Sequence, residues 1–188
     1  YPHWAGATLG DVKFVDVNGD GVINADDRIR SKKNQTPRMV LGFNVGLNYK
    51  GFDLTALFQA AFGAETYVQT WSGTVGNFLK EYYDQRWTKD NPTSEHPRTY
   101  ERENMYWINH VNTMFLRNSD YLRLKNLEIG YTLPIDLKPY GISKLRFFAN
   151  GQNIFTIDGI PGDPENTASS FDYYPQRQYY NFGFSATF

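Results

Sequence analysis

Residues 179–188 read YYNFGFSATF. Side chains of an extended strand alternate between two faces. Tyr180, Phe182, Phe184, Ala186 and Phe188 therefore share one face, and Tyr179, Asn181, Gly183, Ser185 and Thr187 share the other. One face is aromatic and the other small and polar. Hydrocarbon outside and water inside, the two surroundings of a transmembrane β-barrel strand, account for that division directly. A soluble sandwich also alternates, but its core face is rarely so aromatic up to the last residue.

The same pattern recurs upstream. In RMVLGFNVGLNY, Met39, Leu41, Phe43, Val45, Leu47 and Tyr49 alternate with Val40, Gly42, Asn44, Gly46 and Asn48. After Lys50-Gly51 comes FDLTALFQAAF, where Phe52, Leu54, Ala56, Phe58, Ala60 and Phe62 alternate with Asp53, Thr55, Leu57, Gln59 and Ala61. Each run has the roughly 9 to 11 residues that a tilted strand needs to cross a bilayer. Leu127, Ile129, Tyr131 and Leu133 alternate with Asn126, Glu128, Gly130 and Thr132, and Leu145, Phe147 and Ala149 with Arg146, Phe148 and Asn150. The expected architecture is all-β: five antiparallel transmembrane strands at 39–49, 52–62, 121–133, 145–155 and 177–188, with 10–17 as a candidate sixth. Arg146 and Glu128 fall on the polar faces, where a lumen tolerates them and lipid would not.

Composition is compatible with this reading. Mean hydropathy is −0.58 with 40% apolar residues, and no run of about 18 apolar residues provides a spanning helix. A barrel evades hydropathy windows because half of each strand is polar. Aromatic residues make up 17% and gather near strand ends, as at Tyr49, Phe52, Tyr131 and Phe155, where interfacial girdles lie. A net charge of −1 gives no reason to expect nucleic acid. The absence of cysteine removes disulfides and thiolate metal sites. The chain opens on Tyr1 without a charged-then-apolar leader and is expected to be part of a longer polypeptide.

Connections alternate in length. Lys50-Gly51 and residues 134–143 are short, whereas 63–119 and 157–175 are long, the asymmetry of an outer-membrane barrel with its long loops outside the cell. Strand 39–49 then descends toward the periplasm, and the final strand leaves its carboxyl terminus there. The first long loop carries Tyr67, Trp71, Tyr82, Tyr83, Trp87, Tyr100, Tyr106 and Trp107. Of these, Trp71, Trp87, Trp107, Tyr83 and Tyr106 are candidates for binding by stacking on sugar faces or filling peptide pockets; equally, such side chains pack loops onto themselves. The spacing in FLKEYYDQRW predicts a short helix near 78–87.

The segment DVNGDGVINADD has the chemistry of a calcium loop. Asp16, Asn18, Asp20 and Asp27 take positions 1, 3, 5 and 12 of an EF-hand pattern, with Gly21 at the sharp turn and Val22 offering a carbonyl. Position 12 is Asp instead of Glu, and no amphipathic helix follows, so a metal-free turn rich in Asx and Gly is the alternative. No catalytic constellation is visible: His3, His96 and His110 lack metalloprotease spacing, and no nucleophile elbow or glycine-rich phosphate loop occurs. The chain is not expected to be an enzyme, and no cofactor is required beyond the calcium that the acidic loop suggests.

Taken in order, GDVKFVDVNGDGVINADDR, YKGFDLTALFQAAFG, NSDYLRLKNLEIGYTLP, LRFFANGQNIFTI and YPQRQYYNFGFSATF resemble the C-terminal part of the barrel in SusC/RagA-type TonB-dependent outer-membrane transporters. The resemblance covers nearly all of residues 1–188. It implies a Gram-negative outer-membrane location and a barrel of about 22 strands around a plug, with the plug and the N-terminal strands outside this sequence. It also implies a SusD-like surface lipoprotein as lid, TonB engaged through the absent N-terminal region, and import of glycans or peptides. Two other classes fit individual features, a secreted calcium-dependent or dockerin-like module and a carbohydrate-binding β-sandwich.

Overall fold

The computed structural model describes residues 1–68, 80–92, 95–99, 111–166, 174 and 176–188, without the side chains of 81 and 82. Two compact units are present. One comprises Lys33–Thr66, Arg117–Thr167 and Tyr173–Phe188, and the other Tyr1–Lys32, Tyr67–Leu116 and Ala168–Asp172.

The first of these is built on one antiparallel sheet. Its strands are β1 (Met39–Tyr49) and β2 (Phe52–Phe62), followed, beyond the short paired strands β3 (Glu65–Tyr67) and β4 (Leu116–Asn118), by β5 (Tyr121–Thr132), β6 (Lys144–Asp158) and β7 (Tyr179–Thr187). The order is β1-β2-β5-β6-β7, each strand beside its predecessor, and the sheet is open. Lys50 (φ 46) and Gly51 (φ 87) both take positive φ, as a two-residue hairpin turn matched to strand twist requires. A Cβ on Gly51 would lie 2.8 Å from the Thr132 carbonyl oxygen, so only glycine fits there.

Pairing keeps the apolar sets in register. Phe43 faces Phe58 and Leu47 faces Leu54, while Asn48 faces Asp53 on the opposite side of the sheet. Tyr49, Phe52, Tyr131, Phe147 and Phe184, one from each strand, are successive cross-strand partners and form an aromatic row along the turn side of the apolar face. Phe52 and Tyr131 ring centroids are 4.3 Å apart. This face is uncovered, with Phe182 83% and Phe184 69% exposed, unlike the inner face of a two-sheet sandwich.

One register feature departs from simple alternation. Continued back from Leu127, period two would set Lys125, Arg123 and Tyr121 among the apolar residues. Instead the pairing shifts between Leu124 and Asn126, with Asn153 at φ 52 opposite. Between these pairs β5 has one residue, Lys125, where β6 has two and β2 none, so the phase of β5 reverses there; Leu122 and Leu124 stay on the apolar face and Arg123 pairs with Gln59 and Thr156 on the polar one. Residues 10–17 form no sixth strand.

In the other unit, Trp4 packs edge-on against Phe14 at 6.2 Å, and Arg98 pairs with the buried Asp11 carboxylate at 2.6 Å. The helix expected near 78–87 is shorter in the described residues, a single turn α1 (Lys80–Asp84). Arg86 is already bridged to His96, whose carbonyl accepts the Trp87 N–H at 2.9 Å. That backbone partner ends the helix, and Trp87 is not on a helical face.

Candidate functional site

The polar face of the sheet carries two charged clusters. Near the turns, Arg146 on β6 is held by both oxygens of Asp53 on β2, with its Nε donating to Asp53 Oδ1 at 3.0 Å. It also donates to Glu128 Oε1 on β5 at 2.7 Å. Asn150 extends the chain of bonds to the other Glu128 oxygen at 3.3 Å, and Asn181 on β7 donates to Asn150 at 2.9 Å. Four strands are thus joined by side chains of one face. A Cβ on Gly130 would fall 2.2 Å from the Arg146 guanidinium, so the bare glycine leaves room for that side chain.

At the long-loop end the cluster is more enclosed. Arg123 and Asp163 side chains are 5% and 6% exposed. Arg123 donates to Thr156 Oγ1 and Asp163 Oδ1, both at 2.7 Å, to Glu165 Oε1 at 2.7 Å and to Gln176 Oε1 at 3.0 Å. Lys125 Nζ reaches Glu165 Oε2 at 2.9 Å. Asp163 also accepts the backbone N–H groups of Glu165 (3.1 Å) and Gln176 (3.0 Å). Burial pushes the Asp163 carboxyl up, but Arg123 and the two N–H donors outweigh it and hold the group below the ordinary carboxylate range. A depressed acid contributes stability above its unfolded pKa, about 3.9 for Asp, and that contribution fades as pH falls through the folded value. Amide protection at Glu165 and Gln176 is therefore expected to be unchanged from neutral pH to about pH 5 and to fall only below about pH 4, as hydrogen exchange at a series of pH values would read.

The acidic loop is organised around backbone donors. Asp16 accepts Gly19 N–H at 2.7 Å and Gly21 N–H at 2.8 Å, Asn18 accepts Asp20 N–H at 3.0 Å, and Asp20 accepts Val22 N–H at 2.8 Å. Asp27 accepts from Val17 and Asn24, both at 2.8 Å; these donors, Asn24 foremost, lower its pKa. Val22 is exposed. Among the described residues, no group of three or more His, Asp or Glu side chains stands in a metal-holding arrangement. Calcium at Asp16, Asn18, Asp20, Val22 and Asp27 stays a proposal that calorimetry decides. If bound, the ion gives a titration heat that Asp20→Ala abolishes; a silent titration leaves a turn stabilised by Asx bonds alone.

Of the aromatic candidates, Trp71, Tyr106 and Trp107 lie outside the described residues. Tyr83 is exposed, with the Arg86 guanidinium 3.9 Å from its ring centroid. Trp87 is half-buried with its ring over Gly10, where a Cβ would approach within 2.5 Å. The Arg123 cluster was not among the candidates. Its sequence signal is a pair of cations, Arg123 and Lys125, near the start of a spanning strand, which demands anionic partners if either is buried.

No family model matches the chain. Among curated proteins, it is 31% identical over 95% of its length to TonB-dependent receptor P3 of Formosa agariphila, and 30% identical over 78% to TonB-dependent receptor P26 of the same organism. It spans 19% and 15% of those proteins. Among solved structures, the RagAB peptide transporter matches 89% of the chain with a TM-score of 0.67 at 27% identity, and the open-open state of the RagAB peptide importer does so with 0.61 at 26%. The chain covers 19% of each of these.

Proposed function

We infer that this chain, a β-barrel segment of the SusC/RagA-type TonB-dependent outer-membrane transporters, lines the route by which an oligomeric nutrient, glycan or peptide, crosses the outer membrane. The observation that carries the reading is the continuous polar face of the five-stranded sheet, with its charges neutralised in place, behind a continuous apolar face that suits lipid. A water-filled passage needs the first and a bilayer the second. The peptide specified for the RagAB structures favours a peptide, and a glycan remains the competing substrate.

The loops at 63–119 and 157–175 are proposed to face outward and to meet both the nutrient and a SusD-like lipoprotein lid. Tyr83, Trp87, Trp71, Tyr106 and Trp107 are the proposed aromatic contacts. TonB would act on parts of the polypeptide beyond this sequence, with the surrounding lipid as the remaining partner. No catalytic step is needed for this role.

The test is uptake by cells that carry the full-length protein, supplied in parallel with a tryptic casein digest and a partial dextran hydrolysate. Import of either that disappears when the gene is deleted and returns on complementation supports the reading and selects the substrate class. Deleting residues 90–105 should reduce uptake or lid association while the barrel still assembles. Unchanged transport by that deletion would contradict the assignment of the loop.

A further inference from the structure

The buried charges at the long-loop end do more than neutralise each other. Residues 158–166 leave β6 at its outer end and turn back, so that Asp163 and Glu165 meet Arg123 and Lys125 on the polar face instead of standing away from the sheet. The returning residues follow the same wall. Gln176 joins Arg123, Asn153 Nδ2 donates to the Arg177 carbonyl at 3.0 Å, and Gln178 Nε2 donates to the Ile154 carbonyl at 3.0 Å. One limb, at Asp163 and Glu165, and the other, at Gln176, are therefore pinned to the Arg123 cluster on the polar face, while Arg177 and Gln178 continue along the edge of β6 beside the bulge. In a closed barrel, chain held there would occupy part of the cross-section of the passage.

We propose that Arg123 is a specificity-determining residue that acts through position: by clamping Asp163 and Glu165 it fixes the loop limbs inside the mouth of the passage and so limits the length and bulk of the nutrient chains that enter. The proposal rests on the import reading above. Arg123 is suited to the task because a planar guanidinium can satisfy two carboxylates and a hydroxyl at once, whereas a lysine ammonium acts as a point charge. The cluster pairs two cations with two carboxylates, which lets it be enclosed at all. Thr156, on the strand beside Arg123, fixes the guanidinium edge at 2.7 Å and so the direction in which the carboxylates are held.

The experiment uses the full-length transporter, with heat-modifiable migration to show assembly, in wild-type, Arg123→Lys and Arg123→Met forms. Hydrogen exchange at the amides of Glu165 and Gln176 reads the clamp, independently of transport. Their protection should fall on the order of a hundredfold in Arg123→Met, as for a broken buried pair, with Arg123→Lys in between. Uptake is scored by mass spectrometry as the length distribution of chains imported from the casein digest or the dextran hydrolysate. Arg123→Met should shift it toward longer chains, and Arg123→Lys should restore it in part.

Unchanged protection in Arg123→Met, or lost protection with an unchanged length distribution, would overturn the proposal while leaving import intact. Failure of the wild type to import either mixture would instead defeat the import reading and the proposal with it. Should Arg123→Met not assemble, Glu165→Gln, which keeps the Arg123–Asp163 pair, carries the same two readouts.

Discussion

Expressed alone and refolded into detergent micelles, residues 1–188 will aggregate or stay unfolded. Among the described residues the sheet has two free edges, because β1 pairs only with β2 and β7 only with β6. Each unpaired N–H or C=O costs several kcal/mol where water cannot reach, and each edge strand presents a row of them along most of its length. Five long strands also fall short of the eight in the smallest bacterial single-chain barrels. The total penalty exceeds the roughly 5–15 kcal/mol that stabilises an ordinary domain. In a polypeptide of the relatives' length, further strands would cover both edges. Gel migration and size-exclusion chromatography check the expectation. A monodisperse, heat-modifiable β-species that unfolds cooperatively would show that these strands close without help.

Phe43→Arg in the full-length protein should cost about 2–4 kcal/mol of barrel stability, the penalty for arginine at the lipid midplane. Asn44→Arg, one residue along, should cost within about 0.5 kcal/mol, as expected of a substitution exposed to water. Phe43 lies mid-strand and its ring centroid is 6.4 Å from that of Phe58, so the substitution also removes an aromatic cross-strand contact. Asn44 faces Leu57 on the polar side. The folded fraction in phospholipid vesicles, followed by heat-modifiable migration across a urea series, measures both. Equal losses would mean that the two faces of β1 do not differ in surroundings.

The contrast between Phe43 and Asn44 also shows why so much of the sheet was legible. Two unlike solvents impose a period of two on every spanning strand, and β1 and β2 begin and end at the residues that alternation marks. The Lys50-Gly51 turn was equally plain because only two residues separate two alternating runs, although glycine at 51 alone marks the positive φ that Lys50 also takes. Alternation fails where the backbone departs from it. The shift is marked only by the consecutive polar pair Lys125-Asn126, across which the apolar series moves from Leu122 and Leu124 to Leu127 and Ile129; period two carried back from Leu127 alone places Arg123 on the wrong face. The Arg123 cluster was hidden for a second reason: its partners Asp163 and Glu165 are some 40 residues away, and only the return path of the loop brings them together. In FLKEYYDQRW the helical spacing was real for one turn, but the Trp87 N–H has a better partner in the His96 carbonyl, a tertiary choice that local propensity does not record. The turns of the acidic loop were legible because Asp16, Asn18 and Asp20 each accept a backbone N–H a few residues on, with Gly19 and Gly21 among the donors.

The central claim is that one face of this sheet meets lipid and the other water, and single-cysteine spin labelling along β1 tests it most directly. The sequence contains no cysteine, so each introduced thiol is the sole label within these residues. With the full-length protein in phospholipid bilayers, labels at 41, 43, 45 and 47 should relax preferentially with molecular oxygen, which partitions into lipid. Labels at 42, 44, 46 and 48 should respond to a water-soluble nickel chelate, giving accessibility that oscillates with period two. An accessibility profile without that period, or one with the odd positions on the water side, would contradict the account.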